Sequence, residues 1–194
     1  MLESSDEALF DKYRTGDRTA LARLVRRYQV PLYNFALRQV RSGSGAEDLV
    51  QETFRRVVQH ANHFERAAPF KAWIYAIARN LSLDVLRSRE SRQHRSLDDP
   101  DMVPAEAALA DPNASVERAA VSAEIRGRVL AAIDLLPDEQ REVFLLREVC
   151  DLRFAEIAKV VNESENTVKS RMRYALERLQ VALGDFEAYA RELG

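Results

Sequence analysis

A single cysteine, Cys150, stands among 194 residues. No intramolecular disulfide can form, and no cysteine-based zinc site can be assembled from this chain. That usage fits a reducing compartment, so a cytoplasmic protein is expected. With only 6 glycines and 6 prolines, collagen-like and turn-rich β chains are also excluded. Apolar runs are short, none approaching the roughly 18 residues of a membrane span. The opening Met1-Leu2-Glu3-Ser4-Ser5-Asp6-Glu7 is acidic and lacks the apolar stretch of a signal peptide. Neither export nor membrane insertion is expected. Catalytic signatures are missing too: there is no H-E-x-x-H, Gly-rich phosphate loop or nucleophile elbow. His60 and His63 lie at i, i+3, and Asp98, Asp99 and Asp101 cluster, but no credible acid and base pair with them. A non-enzymatic chain without metal or cofactor is the expectation.

What is present is helical material. Apolar residues make up 46% and charged residues 31%, enough for one ordinary domain or two small ones. The net charge of -2 hides an asymmetry: residues 1–95 carry 17 Lys/Arg against 11 Asp/Glu, residues 96–123 carry 1 against 6, and residues 124–194 carry 11 against 14. The first block is a candidate polyanion binder.

Through the first 95 residues the apolar spacing predicts helices near 5–15, 17–41, 45–61 and 69–92, with no strand-like alternation. Asp17 is placed to cap the second, which Pro31 should interrupt. Ser44-Gly45-Ala46-Glu47 has capping-box spacing and predicts the start of the third. From Ser96 to about Val116, Asp98, Asp99, Pro100, Asp101, Pro104, Asp111, Pro112 and Asn113 read as an acidic connector, with at most a short helical piece around 105–110. Periodicity resumes over Val116–Leu136. Pro137 opens a helix to about Val149. Phe154–Val161 and Ser164 to about Leu183 follow, separated by Asn162-Glu163, which forces a sharp corner.

In the last helix Val168, Met172, Ala175, Leu176 and Leu179 share an inward stripe. The opposite face presents Asn166, Ser170, Arg173 and Tyr174, flanked by Lys169 and Arg171, with Ser164 as cap. Such a helix suits the major groove, where Arg pairs with guanine and Asn with adenine. A solvated face on an ordinary helical hairpin fits the same spacing. In the first block, Leu49, Val50, Phe54 and Val57 form an apolar stripe that leaves Asp48, Gln51, Glu52 and Arg55 outward, either to meet another helix or to face water. Phe70, Trp73, Ile74, Ile77, Ala78, Leu81 and Val85 have core spacing, Trp73 at the stripe's edge. Residues 66–95 are locally basic, 7 cations against 2 anions.

Two stretches carry a family resemblance. Asp151-Leu152-Arg153-Phe154-Ala155-Glu156-Ile157-Ala158, Thr167-Val168-Lys169-Ser170-Arg171 and Ala175-Leu176-Glu177-Arg178-Leu179, with the preceding Leu136-Pro137-Asp138-Glu139-Gln140-Arg141-Glu142-Val143-Phe144, resemble region 4 of bacterial sigma factors. Asn162 stands where that family usually has Gly, and Glu163 where it usually has an apolar residue. The Ala46–Phe54 run and Phe70-x-x-Trp73-Ile74-x-x-Ile77-Ala78-Arg79-Asn80-Leu81-x-x-Asp84-x-x-Arg87 resemble region 2. Together they resemble the two-domain extracytoplasmic-function (ECF) class.

The resemblance implies an all-α fold of two small domains, 1–95 and 116–194, joined by the acidic linker 96–115. It implies a subunit that binds core RNA polymerase and promoter DNA and is held by a cognate anti-sigma factor. Asp48, Gln51, Glu52 and Arg55 would meet the polymerase clamp. Asn62, His63, Phe64, Arg66, Lys71, Tyr75, Asn80, Asp84 and Arg87 would engage the -10 element. Ser164, Asn166, Thr167, Lys169, Ser170, Arg171, Arg173 and Tyr174 would engage the -35 element. A helix-turn-helix repressor is the rival reading, but it explains only the C-terminal half.

Overall fold

A computed structural model describes residues 4–64, 69–93 and 116–192. The acidic connector and Arg66 lie outside these residues. Among the described residues the order is α1 (Asp6–Arg14), α2 (Arg18–Val40), α3 (Gly43–Gln59), a 3-10 turn (Ala61–His63), α4 (Phe70–Gln93), α5 (Val116–Asp134), α6 (Asp138–Phe144), a π-helical turn (Leu145–Val149), α7 (Phe154–Val161) and α8 (Glu165–Glu192), without strands. The fold is all-α, as the periodicity predicted.

Local chemistry sets most boundaries. Ser5 caps α1 by accepting from the Ala8 N–H at 3.2 Å, with Asp6 and Glu7 in the first turn and Lys12 and Arg14 in the last, matching the helix dipole. Asp17 caps α2, accepting from the Thr19 N–H at 2.9 Å and the Ala20 N–H at 3.3 Å. The Thr19 hydroxyl, which donates to Asp17 Oδ1 at 2.6 Å, and then these N–H bonds favour the ionised form and lower the Asp17 pKa.

Two sequence expectations are corrected here. Pro31 does not interrupt α2, which runs unbroken to Val40. Tyr28, Leu32 and Phe35 are buried around it, so tertiary packing offsets the roughly 3 kcal/mol cost of an interior proline. The cap of α3 is Ser42 rather than Ser44: the Gly45 N–H donates to Ser42 Oγ at 3.2 Å, and Ser42 is extended at φ -147°. Ser42 wins because Arg41 leaves α2 in a left-handed conformation, φ 53°, which turns the chain before Gly43.

Helices α1 to α4 enclose one core. Phe10 is fully buried, its ring 4.9 Å from Phe70, 5.2 Å from Phe64 and 5.5 Å from Trp73. Edge and tilted pairs of this kind add about 0.5–1.5 kcal/mol each beyond area burial. The α1 carboxylate of Glu7 accepts from the Phe70 N–H at 3.0 Å, so one helix caps the start of another. In the second half, Val143, Leu145, Leu146, Leu152, Ile157 and Val168 supply the core.

The two halves meet. Helix α4 packs on α7, and α2 on the π-helical turn. That turn, closed by the Cys150 N–H reaching the Leu145 carbonyl at 3.0 Å, is followed by Asp151 at φ 48°. The expected separate modules therefore share a contact surface.

Candidate nucleic-acid and polymerase interfaces

The corner between α7 and α8 is built from backbone geometry. Asn162 adopts φ 57° and ψ 48°, a conformation that Asn tolerates better than most residues. The Glu163 N–H then returns to the Ala158 carbonyl at 3.0 Å. Ser164 Oγ accepts from the Thr167 N–H at 3.0 Å, which starts α8 where the sequence placed its cap.

Helix α8 buries Val168, Met172, Ala175 and Leu179. Leu176, expected on the same stripe, is 49% exposed. The burial seam is narrower than the predicted one, and Leu176 falls beyond its edge. Asn166, Lys169, Ser170, Arg173 and Tyr174 are exposed. The Arg173 guanidinium lies 4.9 Å from the Tyr174 ring centroid and 3.6 Å from Glu177, while Lys169 pairs with Glu165 at 2.7 Å. These are solvent-exposed contacts worth under about 1 kcal/mol, easily exchanged for a base edge or phosphate. Thr167 is half-buried beneath Ser164. Arg171 differs: its side chain is only 17% exposed and is held by Glu139 at 2.8 Å and Glu163 at 3.0 Å.

On α3, Asp48, Gln51 and Arg55 are exposed and Glu52 is half-buried. Glu52 is bound by both Arg55 and Arg56, and these hydrogen bonds pull its pKa down to about 2. Asp48 and Glu52 line a groove with Asp84, Ser88 and Arg89 of α4. The outward set expected on α3 shares one surface.

The residues expected at the -10 element divide. Asn62 and His63 are exposed on the 3-10 turn. Phe64, which follows that turn, is itself 4% exposed and 5.0 Å from the Trp73 ring. On α4, Asn80, Asp84 and Arg87 at i, i+4 and i+7 form an exposed face. Lys71, Tyr75 and Arg79 at i, i+4 and i+8 form a second face, and the C-terminal half covers it. Tyr75 is 1% exposed, stacked edge-on against Phe35 at 5.6 Å and close to the Cys150 thiol. Phe64 and Tyr75 are thus core side chains in this conformation, a correction to their expected place on the DNA-facing surface. Aromatic packing, which burial makes favourable, claims both. Burial also pushes the Cys150 thiol up to about 12 and raises the Tyr75 pKa.

Sequence reasoning missed the groups that join the halves. Arg79 Nε lies 2.8 Å from Glu142 Oε1 and its Nη2 lies 3.3 Å from Oε2. Arg38 Nη1 lies 3.0 Å from Asp134 Oδ2, and Arg41 Nη2 donates to the Asp134 carbonyl at 2.9 Å. Lys71 Nζ donates to the Asp151 carbonyl at 3.1 Å and to its Oδ2 at 3.2 Å. The opposite net charges of residues 1–95 and 124–194 are the one signal that pointed this way.

Comparison with known proteins gives two family matches within the chain. Residues 24–92 match the family described as Sigma-70 region 2, and residues 126–179 match Sigma-70, region 4. The chain belongs to the extracytoplasmic-function sigma factors of the sigma-70 family. It is 31% identical over 186 residues to RNA polymerase sigma-H factor of Pseudomonas aeruginosa, covering 94% of this chain and 96% of that one. It is 34% identical over 187 residues to ECF RNA polymerase sigma factor SigE of Mycolicibacterium smegmatis, covering 92% and 69%. Among solved structures, the sigma factor RpoE of Bartonella quintana, in complex with the anti-sigma factor NepR, superposes with a TM-score of 0.67 at 24% identity over 83% of this chain and 96% of that one. That likeness shows the shared fold. In this sigma factor region 2 is built by α2 to α4, with α1 packed against them. Region 4 holds the α7–α8 corner.

Proposed function

We propose that this ECF sigma factor binds core RNA polymerase and directs it to promoters by using its two halves as separate readers. Region 4 reads the -35 element through α8: Asn166, Lys169, Ser170, Arg173 and Tyr174 meet base edges and phosphates, and Ser164 and Thr167 set the helix start against the backbone. The exposed outer face on the first turns of α8, held at a capped corner, is the single observation that carries this reading. Arg171 positions the corner through Glu139 and Glu163.

Region 2 docks on the polymerase through Asp48, Gln51, Glu52 and Arg55, whose carboxylates and amide complement a basic partner helix. Asn62, His63 and Arg66, with Asn80, Asp84 and Arg87, receive an unstacked base of the -10 element. Melting loses about 1.4 kcal/mol of stacking per base-pair step, and capture of a flipped base offsets part of that loss. Lys71 joins this surface only when region 4 leaves it.

The chain supplies specificity rather than catalysis, and it acts in the cytoplasm, where polymerase works. No described helix is long and apolar enough to cross a membrane. A cognate anti-sigma factor is a further partner in this reading, supported by the NepR-bound fold relative.

Binding of fluorescently labelled chain to purified core polymerase tests the reading. Wild-type protein should bind tightly, and Asp48→Lys with Gln51→Lys should bind at least tenfold more weakly at unchanged helicity. Absence of wild-type binding would remove the proposal.

A further inference from the structure

Helix α1 lies outside the residues 24–92 that match region 2, and it carries none of the residues assigned to polymerase or DNA. Its inner face nevertheless gathers at one place. Phe10 is fully buried, with its ring centroid 5.2 Å from Phe64, 4.9 Å from Phe70 and 5.5 Å from Trp73. Phe64 follows the 3-10 turn that carries Asn62 and His63. Phe70 begins α4, which carries Asn80. The Phe64 and Phe70 rings lie 6.0 Å apart, and Phe10 packs against both.

Glu7 stands on the same face of α1, one turn before Phe10. Its Oε1 accepts from the Phe70 N–H at 3.0 Å, one of the donors that the start of α4 leaves without a partner inside the helix. The helix that supplies these contacts is itself fixed. Asp6 accepts from the Arg27 guanidinium and the Tyr28 hydroxyl of α2, and Arg27 also reaches the Ser4 carbonyl at 3.4 Å. An unbroken series of contacts therefore runs from α2 through α1 to both the 3-10 turn and the first residue of α4. A packed aromatic interior transmits a displacement rather than absorbing it, and a shift of about 1 Å in a group that must meet a reacting partner can cost about a hundredfold in rate.

We propose that α1, through Phe10 and Glu7, is the positioning element of the base-capture site: it sets the spacing between the turn bearing Asn62 and His63 and the helix bearing Asn80, and so governs both promoter opening and base selectivity at the -10 element. This inference rests on the function proposed above. Phe10 and Glu7 touch no DNA and act through Phe64 and Phe70.

The test uses holoenzyme reconstituted from core polymerase and the full chain. Opening is followed by permanganate reactivity on promoters substituted one base at a time across the -10 element. Phe10→Leu keeps an apolar side chain but removes the ring, and it should slow opening at least fivefold and shrink the preference for the best base over the worst at least threefold. Binding to core polymerase and to -35 duplex should stay within twofold of wild type, and a template premelted by mismatches across the -10 element should restore transcription to within twofold. Glu7→Val should slow opening at least threefold, whereas Glu7→Gln, which keeps an acceptor for the Phe70 N–H, should stay within twofold. Val40→Ala is the control for stability alone, since Val40 is 1% exposed and its carbonyl meets Arg89, near the other end of α4. At a comparable loss of thermal midpoint it should keep wild-type base preference. Folded Phe10→Leu and Glu7→Val chains that open every promoter at the wild-type rate with the wild-type preference would overturn the inference, as would an equal loss of preference in Val40→Ala. Wild-type holoenzyme that opens none of the promoters would instead overturn the -10 reading itself, and this inference with it.

Discussion

Glu163 and Arg171 form a 3.0 Å ion pair across the corner of the helix-turn-helix. Glu163 stands at a position where the family usually places an apolar residue. The corner is therefore tied by charge, with Glu139 adding a second carboxylate at 2.8 Å. Arg171→Ala should destabilise region 4 by about 1 kcal/mol, the upper range for a partly exposed network. The thermal midpoint should fall by roughly 2–4 °C. Arg173→Ala should leave the midpoint unchanged and weaken binding to -35 duplex by about 1–3 kcal/mol. Melting curves and duplex titrations on both variants check the division of roles.

Asn162 holds φ 57° at the same corner. Asn162→Gly should be neutral or slightly stabilising. Asn162→Val should cost about 1–2 kcal/mol, because a β-branched side chain resists the left-handed region. Urea unfolding midpoints of the two variants should move apart accordingly.

Phe64 and its neighbours Asn62 and His63 should behave oppositely. Phe64→Ala empties part of the aromatic cluster and should cost about 3–5 kcal/mol of stability. Asn62→Ala and His63→Ala, on exposed side chains, should change stability by less than about 0.5 kcal/mol while impairing promoter opening. Chemical denaturation and permanganate footprinting separate the two effects.

Burial pushes the Cys150 thiol from 9.0 up to about 12. The folded chain then keeps its proton where the unfolded chain loses it, so stability is full below pH 9 and declines as pH rises toward 12. By pH 10.5 the loss is roughly 2 kcal/mol from this group. Cys150→Ala should flatten the decline, which urea midpoints at pH 8 and 10.5 will show.

Much of the molecule was legible in the sequence because it is locally encoded. Phe154–Val161 matches its predicted bounds, and Ser164 and Asp17 cap where their side chains were expected to cap. Interactions between elements were not legible. Pro31 stays helical because Tyr28, Leu32 and Phe35 are packed around it. Tyr75 and Phe64 have residue types suited to base stacking and to a core alike, and only the folded chain decides between them. Arg79 and Glu142 lie 63 residues apart, beyond the reach of any periodicity argument. Charge asymmetry hinted that the halves attract, without naming the pairs.

Run-off transcription with purified core polymerase, scored with and without this chain on templates that carry or lack paired -35 and -10 elements, tests the central claim most directly. The account predicts transcripts only when chain and elements are both present, with a sharp fall in the Asp48→Lys and Arg173→Ala variants. A chain that leaves core polymerase inactive on every template, yet footprints duplex DNA strongly by itself, would contradict it.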